Sequence, residues 1–179
     1  MVEIRAALPE DARPIAQVHV AVWRSTYAGL MPDEVLQNLS VERRQDMWTD
    51  ILTTHAETLP VLVAEDFGVG ICGFGNCGPL RGEPVPSYDG EFKTLYLLPA
   101  YQRRGIGRAL FCRLAALLTD RGYRAAIAWV LAGNPAFAFY EAMGGELCAE
   151  RADEAFGAMV EEIGYGWTDL SALARRATA

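Results

Sequence analysis

The stretch from Glu91 to Leu110 constrains this chain more than any other, reading Glu-Phe-Lys-Thr-Leu-Tyr-Leu-Leu-Pro-Ala-Tyr-Gln-Arg-Arg-Gly-Ile-Gly-Arg-Ala-Leu. Its first part, through Leu98, has the pattern of an extended, half-buried strand, and Pro99-Ala100 turns the chain. Gly105 and Gly107 then bare the backbone, and apolar residues begin to recur at helical spacing. Gln102, Arg103 and Arg104 lie between strand and helix, with Arg108 just inside the helix. Residues without a Cβ let an anion approach the first amide N–H groups of a helix. The positive end of the helix dipole and the guanidinium groups add to that attraction. The stretch therefore predicts an anion cradle suited to a phosphate, running from Gln102 through Gly105, Ile106 and Gly107 to Ala109, with backbone amides from about Arg103 to Arg108 as donors.

Two other phosphate loops are excluded by single positions. A dinucleotide fingerprint needs a third glycine where Leu110 stands, and a P-loop needs Gly-Lys-Ser/Thr, whereas the only lysine, Lys93, lies upstream in the strand. The net charge of −7, without a long basic run, argues against a nucleic-acid partner. Four cysteines form no CxxC pair and histidines number two, which predicts thiols in a reducing compartment and no metal centre. The N-terminal residues lack the apolar core of a signal peptide, and nothing approaches a membrane span, so a cytoplasmic protein is expected.

Along the chain, Val2 to Ala7 alternates as a strand, and Ala12, Ile15, Ala16, Val18, His19 and Val22 recur as one helix face. Trp23 and Tyr27 share a face near the end of that helix, where they can wedge two helices together. Residues Asp33 to Thr54 predict a second helix, or two short ones broken near Leu39-Ser40 with Ser40 as cap. Thr58 to Glu65 and Val69 to Asn76 predict a hairpin about Asp66-Phe67-Gly68, the second strand so rich in glycine that a bulge or a close neighbour is implied. Pro79 to Gly90 is a connecting loop, either passive or a lid. After the helix, closed by Arg121-Gly122, Tyr123 to Leu131 is an interior strand. Asn134-Pro135 opens a helix that Gly144-Gly145 ends. Glu146 to Arg151 and Ala158 to Leu170 are strands across a turn at 153–157, and the tail from Ser171 is frayed.

Gln102-Arg103-Arg104-Gly105-Ile106-Gly107, after a strand ending Leu-Leu-Pro, resembles the acyl-CoA pyrophosphate loop of the GNAT N-acyltransferase superfamily, Gln/Arg-x-x-Gly-x-Gly/Ala. Trp23-x-x-x-Tyr27-x-Gly29-Leu30-x-Pro32 resembles a run in a bacterial branch of that superfamily, a resemblance that implies it borders the acceptor pocket. The element order β-α-α-β-β-β-α-β-α-β-β is similar to that fold over nearly the full chain, most strongly from Glu91 to Gly145. The resemblance implies one α+β domain over residues 1–170 with a tail at 171–179, built on a mixed, mostly antiparallel sheet with helices on both faces.

It also implies chemistry: acetyl-CoA as co-substrate and direct attack, in a ternary complex, by a primary amine on a small molecule or peptide. Leu97 and Leu98 would use backbone groups on the pantetheine arm, and Asn134 would contact the cofactor. Tyr140, in Phe139-Tyr140-Glu141, would protonate the departing thiolate. A free thiol titrates at about 8.5 and a phenol at about 10, so that transfer is near balance. A plainly packed tyrosine is the alternative. Glu91 is the candidate general base, with Asp89, Glu83 and Tyr27 as competitors. A homodimer is a further expectation from the resemblance. A coenzyme-binding module without turnover is the rival function, and a nucleotide-dependent phosphotransferase is undercut by the missing P-loop lysine.

Overall fold

The alternating segments assemble into one seven-stranded sheet of order β1-β2-β3-β4-β5-β7-β6 in a computed structural model that describes residues 1–155 and 158–177. The elements run β1 (Val2–Ala6), α1 (Ala12–Thr26), α2 (Asp33–Gln37), α3 (Val41–Thr54), β2 (Val61–Asp66), β3 (Gly70–Pro79), β4 (Gly90–Leu97), α4 (Ile106–Asp120), β5 (Ala126–Leu131), α5 (Phe137–Ala142), β6 (Glu146–Ala155), β7 (Ala158–Trp167) and α6 (Ser171–Arg175). Every pairing is antiparallel except that of β4 with β5.

Side-chain alternation on β2 divides the core. Val61 and Val63 join Phe74 under α1 and α3, which contribute Ile15, Trp48 and Leu52. Leu62 and Ala64 face the other way, toward Leu110, Phe111, Leu114 and Leu118 of α4. Helices therefore cover both faces, as the pattern required. The glycines of β3 mark close approaches: a Cβ on Gly75 would stand 2.8 Å from Leu114 Cδ1 and 2.9 Å from the Thr94 carbonyl oxygen. A bulge lies at Asn76/Cys77. No helix among the described residues is long and apolar enough to cross a membrane.

Several boundaries differ from the sequence expectation, each for a local reason. The segment after Asp33 takes the second of the two expected forms, two helices, because Ser40 Oγ accepts the Arg43 N–H (3.2 Å) and starts α3 afresh. β2 begins at Val61, since Thr58 and Leu59 still donate to the His55 carbonyl in the turn that ends α3. β5 begins at Ala126; Gly122, at φ 89°, ends α4 as the sequence implied. Asn134 Oδ1 accepts the Ala136 N–H (2.9 Å), so it caps a turn, and the regular helix starts only at Phe137. The 171–179 tail is not frayed over its described part: α6 packs on α4 and buries Leu173. Part of the turn expected at 153–157 lies outside the described residues.

Candidate active site

β4 and β5 pair only at Gly90–Ala126, Glu91–Ile127 and Phe92–Ala128. Beyond Phe92 the β4 ladder continues to β3, and beyond Ala128 the β5 ladder continues to β7. The two parallel strands therefore part and leave a wedge in the sheet, with its mouth where β4 hands over to α4. In an antiparallel ladder alternate residues address the neighbouring strand. Leu98 donates its N–H to the Cys72 carbonyl (2.9 Å), so Leu98 is committed to β3 and Leu97 turns its backbone toward the wedge. Gln102 Nε2 donates to the Leu97 carbonyl (3.2 Å), which leaves the Leu97 N–H as the polar group facing the gap. Of the two candidates on this strand, the geometry presents Leu97.

The cradle sits directly above. Arg103 and Gly105 take left-handed conformations, φ 60° and 82°, and Gly105 is the N-cap of α4. Only glycine adopts that region without strain, so the positive φ at Arg103 stores roughly 1–3 kcal/mol in the loop. The result is a row of outward amides: the N–H groups of Arg103, Arg104, Gly105, Ile106, Gly107 and Arg108 donate to no backbone carbonyl among the described residues. The next amide, Ala109, is already inside the helix and donates to the Gly105 carbonyl (3.0 Å). Ile106 is buried, and so offers only its backbone. The Arg103, Arg104 and Arg108 side chains are exposed, and the Arg104 guanidinium lies 5.0 Å from the Tyr101 ring centroid. Tyr101 in turn donates to Asp66 Oδ2 (3.0 Å), which fixes the ring beneath the loop.

Tyr140, from α5, is 9% exposed among the rings of Phe111, Phe139, Tyr165 and Trp167. Burial pushes its phenol above the ordinary value, and the Tyr96 hydroxyl adds a smaller effect in the same direction. The Tyr27 phenol is raised by burial and then by Tyr96 and Tyr140, so the three hydroxyls are electrostatic neighbours across the wedge. Tyr96 accepts from Trp23 Nε1 (2.9 Å) and hydrogen-bonds with Tyr27. Asn134 is buried, with its side-chain oxygen used by the Ala136 amide.

On the α1/α3 face of the wedge lies a cavity of about 450 Å³. Its wall includes His19 and Tyr27 from α1 and its C-terminal end, Arg44 and Trp48 from α3, Lys93 and Tyr96 from β4, Trp129 from β5 and Glu162 from β7. The structure thus places Tyr27 at a pocket as well as against Trp23, whose ring centroid is 4.8 Å away. Of these wall residues the sequence pointed to Trp23 and Tyr27; His19 was visible only as part of an apolar face, and Tyr96, Trp129 and Glu162 carried no signal.

The carboxylates proposed from sequence divide by environment. Glu91 is 0% exposed; Oε1 meets Arg81 Nε (2.7 Å) and Nη2 (2.6 Å), while Oε2 takes the Arg81 N–H (2.8 Å) and Lys93 Nζ (3.5 Å). Asp89 clasps the amides of Arg124 and Ala125 (3.1 and 3.0 Å), which ties the 80–89 loop to the start of β5. Glu83 is exposed on that loop. Among the described residues, the carboxylate on the cavity wall is Glu162, whose Oε2 takes both Arg151 Nε (2.8 Å) and Nη2 (2.6 Å).

The chain as a whole has counterparts among known proteins. The model of the acetyltransferase (GNAT) family matches residues 22–145. The chain is 39% identical over 173 residues to an uncharacterized N-acetyltransferase, YuaI, of Bacillus subtilis (strain 168), spanning 97% of this chain and 96% of that one. In fold it is similar to the PaiA N-acetyltransferase of Thermoplasma acidophilum, solved in complex with coenzyme A, at TM-score 0.70 and 20% identity over 91% of this chain and 98% of that one. It is also similar to YncA of Salmonella typhimurium, solved with its cofactor acetyl-CoA, at TM-score 0.68 and 22% identity over 96% and 95%. A family match across the wedge and cradle, together with a relative alike from end to end, shows that the chain belongs to the GNAT family of acetyltransferases.

Proposed function

We propose that this protein transfers an acetyl group from acetyl-CoA to the primary amine of a small acceptor, by direct attack with both substrates bound. The observation that carries the reading is the row of unengaged amides from Arg103 to Arg108 at the mouth of the wedge. These amides sit on an exposed loop at a helix N-terminus, where a diphosphate can accept from them and meets the positive end of the helix dipole. The solved relatives that hold coenzyme A or acetyl-CoA support the same occupant.

Bound acetyl-CoA supplies an acyl group on a good leaving thiol. The wedge then positions that group, and the Leu97 N–H is the donor for oxygen charge that develops during attack. Tyr140 keeps its proton at neutral pH because burial disfavours the phenolate, and it yields that proton to the departing sulfur. The raised phenol does not defeat the transfer, since the same dry surroundings raise the basicity of the thiolate. Burial likewise raises all four cysteine thiols, Cys77 to about 12, which disfavours a covalent acyl-enzyme and favours direct attack.

The incoming amine must lose protons. Glu91 has both oxygens engaged, so in this reading it holds Arg81 and Lys93 in place. Glu162 receives Arg151 on Oε2, and Oε1 is available to accept a proton at the cavity wall. Thiol release from acetyl-CoA, measured against a panel of amines and peptides, tests the whole reading: acceptor-dependent release is expected. Coenzyme binding without release across the panel would leave only a silent binding module.

A further inference from the structure

We infer that Tyr101 positions Arg104 for the coenzyme: its ring holds the guanidinium at the rim of the cradle, with the charge left for a phosphate oxygen. This rests on the cradle reading above. Arg104 lies between the two left-handed residues, Arg103 and Gly105, and its N–H belongs to the row of unengaged amides. Its guanidinium is therefore within one side-chain length of any diphosphate those amides hold. The side chain is exposed, and a long side chain that is free to turn loses rotamer freedom when it grips a ligand. Here it is ordered beforehand, because the guanidinium lies 5.0 Å from the Tyr101 ring centroid, inside the range of cation–π attraction. A contact that fixes a group before the ligand arrives lowers the cost of binding.

Tyr101 is itself fixed. It is 8% exposed, its N–H donates to the Leu98 carbonyl (2.9 Å), and its hydroxyl donates to Asp66 Oδ2 (3.0 Å). The other Asp66 oxygen takes the Gly68 N–H (3.4 Å) and the N-terminal ammonium (3.5 Å). One side chain thus meets a carboxylate through its hydroxyl and a cation through its ring, and among the described residues no carboxylate pairs with Arg104. Other arginines of the chain are held differently: Arg5, Arg81 and Arg151 each meet a carboxylate at 2.6 Å. A guanidinium held that way brings its neutralising partner along, and an arriving anion must compete with it. A guanidinium resting on a neutral ring keeps its full charge and its planar fork for a phosphate.

Coenzyme A titrated calorimetrically into the full chain tests this. Arg104→Gln should weaken binding at least about tenfold and Tyr101→Leu at least about threefold, while Tyr101→Phe, which keeps the ring, should recover most of that loss. Tyr101 acts through Arg104, so the double variant Tyr101→Leu/Arg104→Gln should bind no more weakly than Arg104→Gln alone. Wild-type affinity in Arg104→Gln or in Tyr101→Leu, or losses that add in the double variant, would overturn the inference. Thermal melts confirm that each variant has folded. Should Tyr101→Leu fail to fold, Arg104→Lys keeps the charge without the planar group and should still lose at least about threefold; wild-type affinity there overturns the inference too. Gly105→Glu separates the two readings: if it binds coenzyme as the wild type does, the cradle reading fails and takes this one with it. If it abolishes binding while the Arg104 and Tyr101 variants bind normally, only the positioning role of Tyr101 fails.

Discussion

Lowering the pH from 7 to 5 should destabilise this protein through one residue, His19. In the folded state its ring sits between Trp23, Trp48, Phe74 and Tyr96 and titrates at about 3, against 6.5 for an unperturbed histidine. The unfolded chain therefore binds a proton below pH 6.5 that the native state refuses, and stability present above that pH is lost as the pH falls toward 3. At pH 5 the gap is about 1.5 pH units, which corresponds to roughly 2 kcal/mol. For a chain of this size that is a fall in Tm of about 4–8 °C. Carboxylates titrate mainly below pH 5, and the chain has only two histidines, of which the other, His55, is about half exposed beside Asp50. Urea denaturation at pH 7, 6 and 5 and constant ionic strength, on the wild type and His19→Phe, isolates the effect. The variant begins lower at pH 7, by about 1–3 kcal/mol, because the buried Trp48 N–H loses its acceptor. Its stability should then stay nearly flat to pH 5, while the wild type falls to meet it. Parallel decline of the two proteins would refute the reasoning.

Other consequences follow from the cradle and the core. Gly105→Glu should reduce coenzyme affinity at least about a hundredfold, by placing a carboxylate where a diphosphate is held, whereas Gly105→Ala, with open space around its Cβ, should cost only about 1 kcal/mol of stability for the positive φ; calorimetry of both variants separates charge from strain. Raising salt should weaken coenzyme binding, since Arg103, Arg104 and Arg108 are exposed, and a salt-independent Kd would count against their part in it. Tyr140→Phe should lower kcat about a hundredfold and leave the acetyl-CoA KM unchanged, as steady-state kinetics would show; unaltered turnover would make Tyr140 a packing residue. Gly145→Ala should destabilise by roughly 1–3 kcal/mol, read by thermal melt, because the new Cβ would stand 2.5 Å from Trp167 Cζ2 in the core.

The features legible in sequence are those in which one position sets one local conformation. Gly105 at the mouth of α4, Gly122 at its end, Ser40 as the cap of α3 and the apolar face of α4 all act within a few residues, so their consequences can be read along the chain. The cradle is of this kind. Its amides are unengaged because helix geometry leaves the first N–H groups without partners wherever a helix starts. The features that cannot be read along the chain depend on distant neighbours. Glu91 resembles a solvated strand carboxylate until Arg81 folds back over it from the 80–89 loop. Along the chain nothing distinguishes Leu98 from Leu97; the register with β3 turns the Leu98 amide toward Cys72. The 171–179 segment is too short to show a period, and it is α4 that gives α6 a surface to cover.

By itself, then, the sequence determined the element order through β7, the two buried helix faces and the row of free amides at the start of α4. Tertiary structure alone decided the wall of the cavity between the sheet and α1/α3. His19 and Trp48 meet across 29 residues, and Trp23 and Tyr96 across 73. The physical reason is that backbone preference is local, whereas a wall of side chains exists only after strand register, the β3 bulge and the parting of β4 from β5 have fixed which face each residue shows.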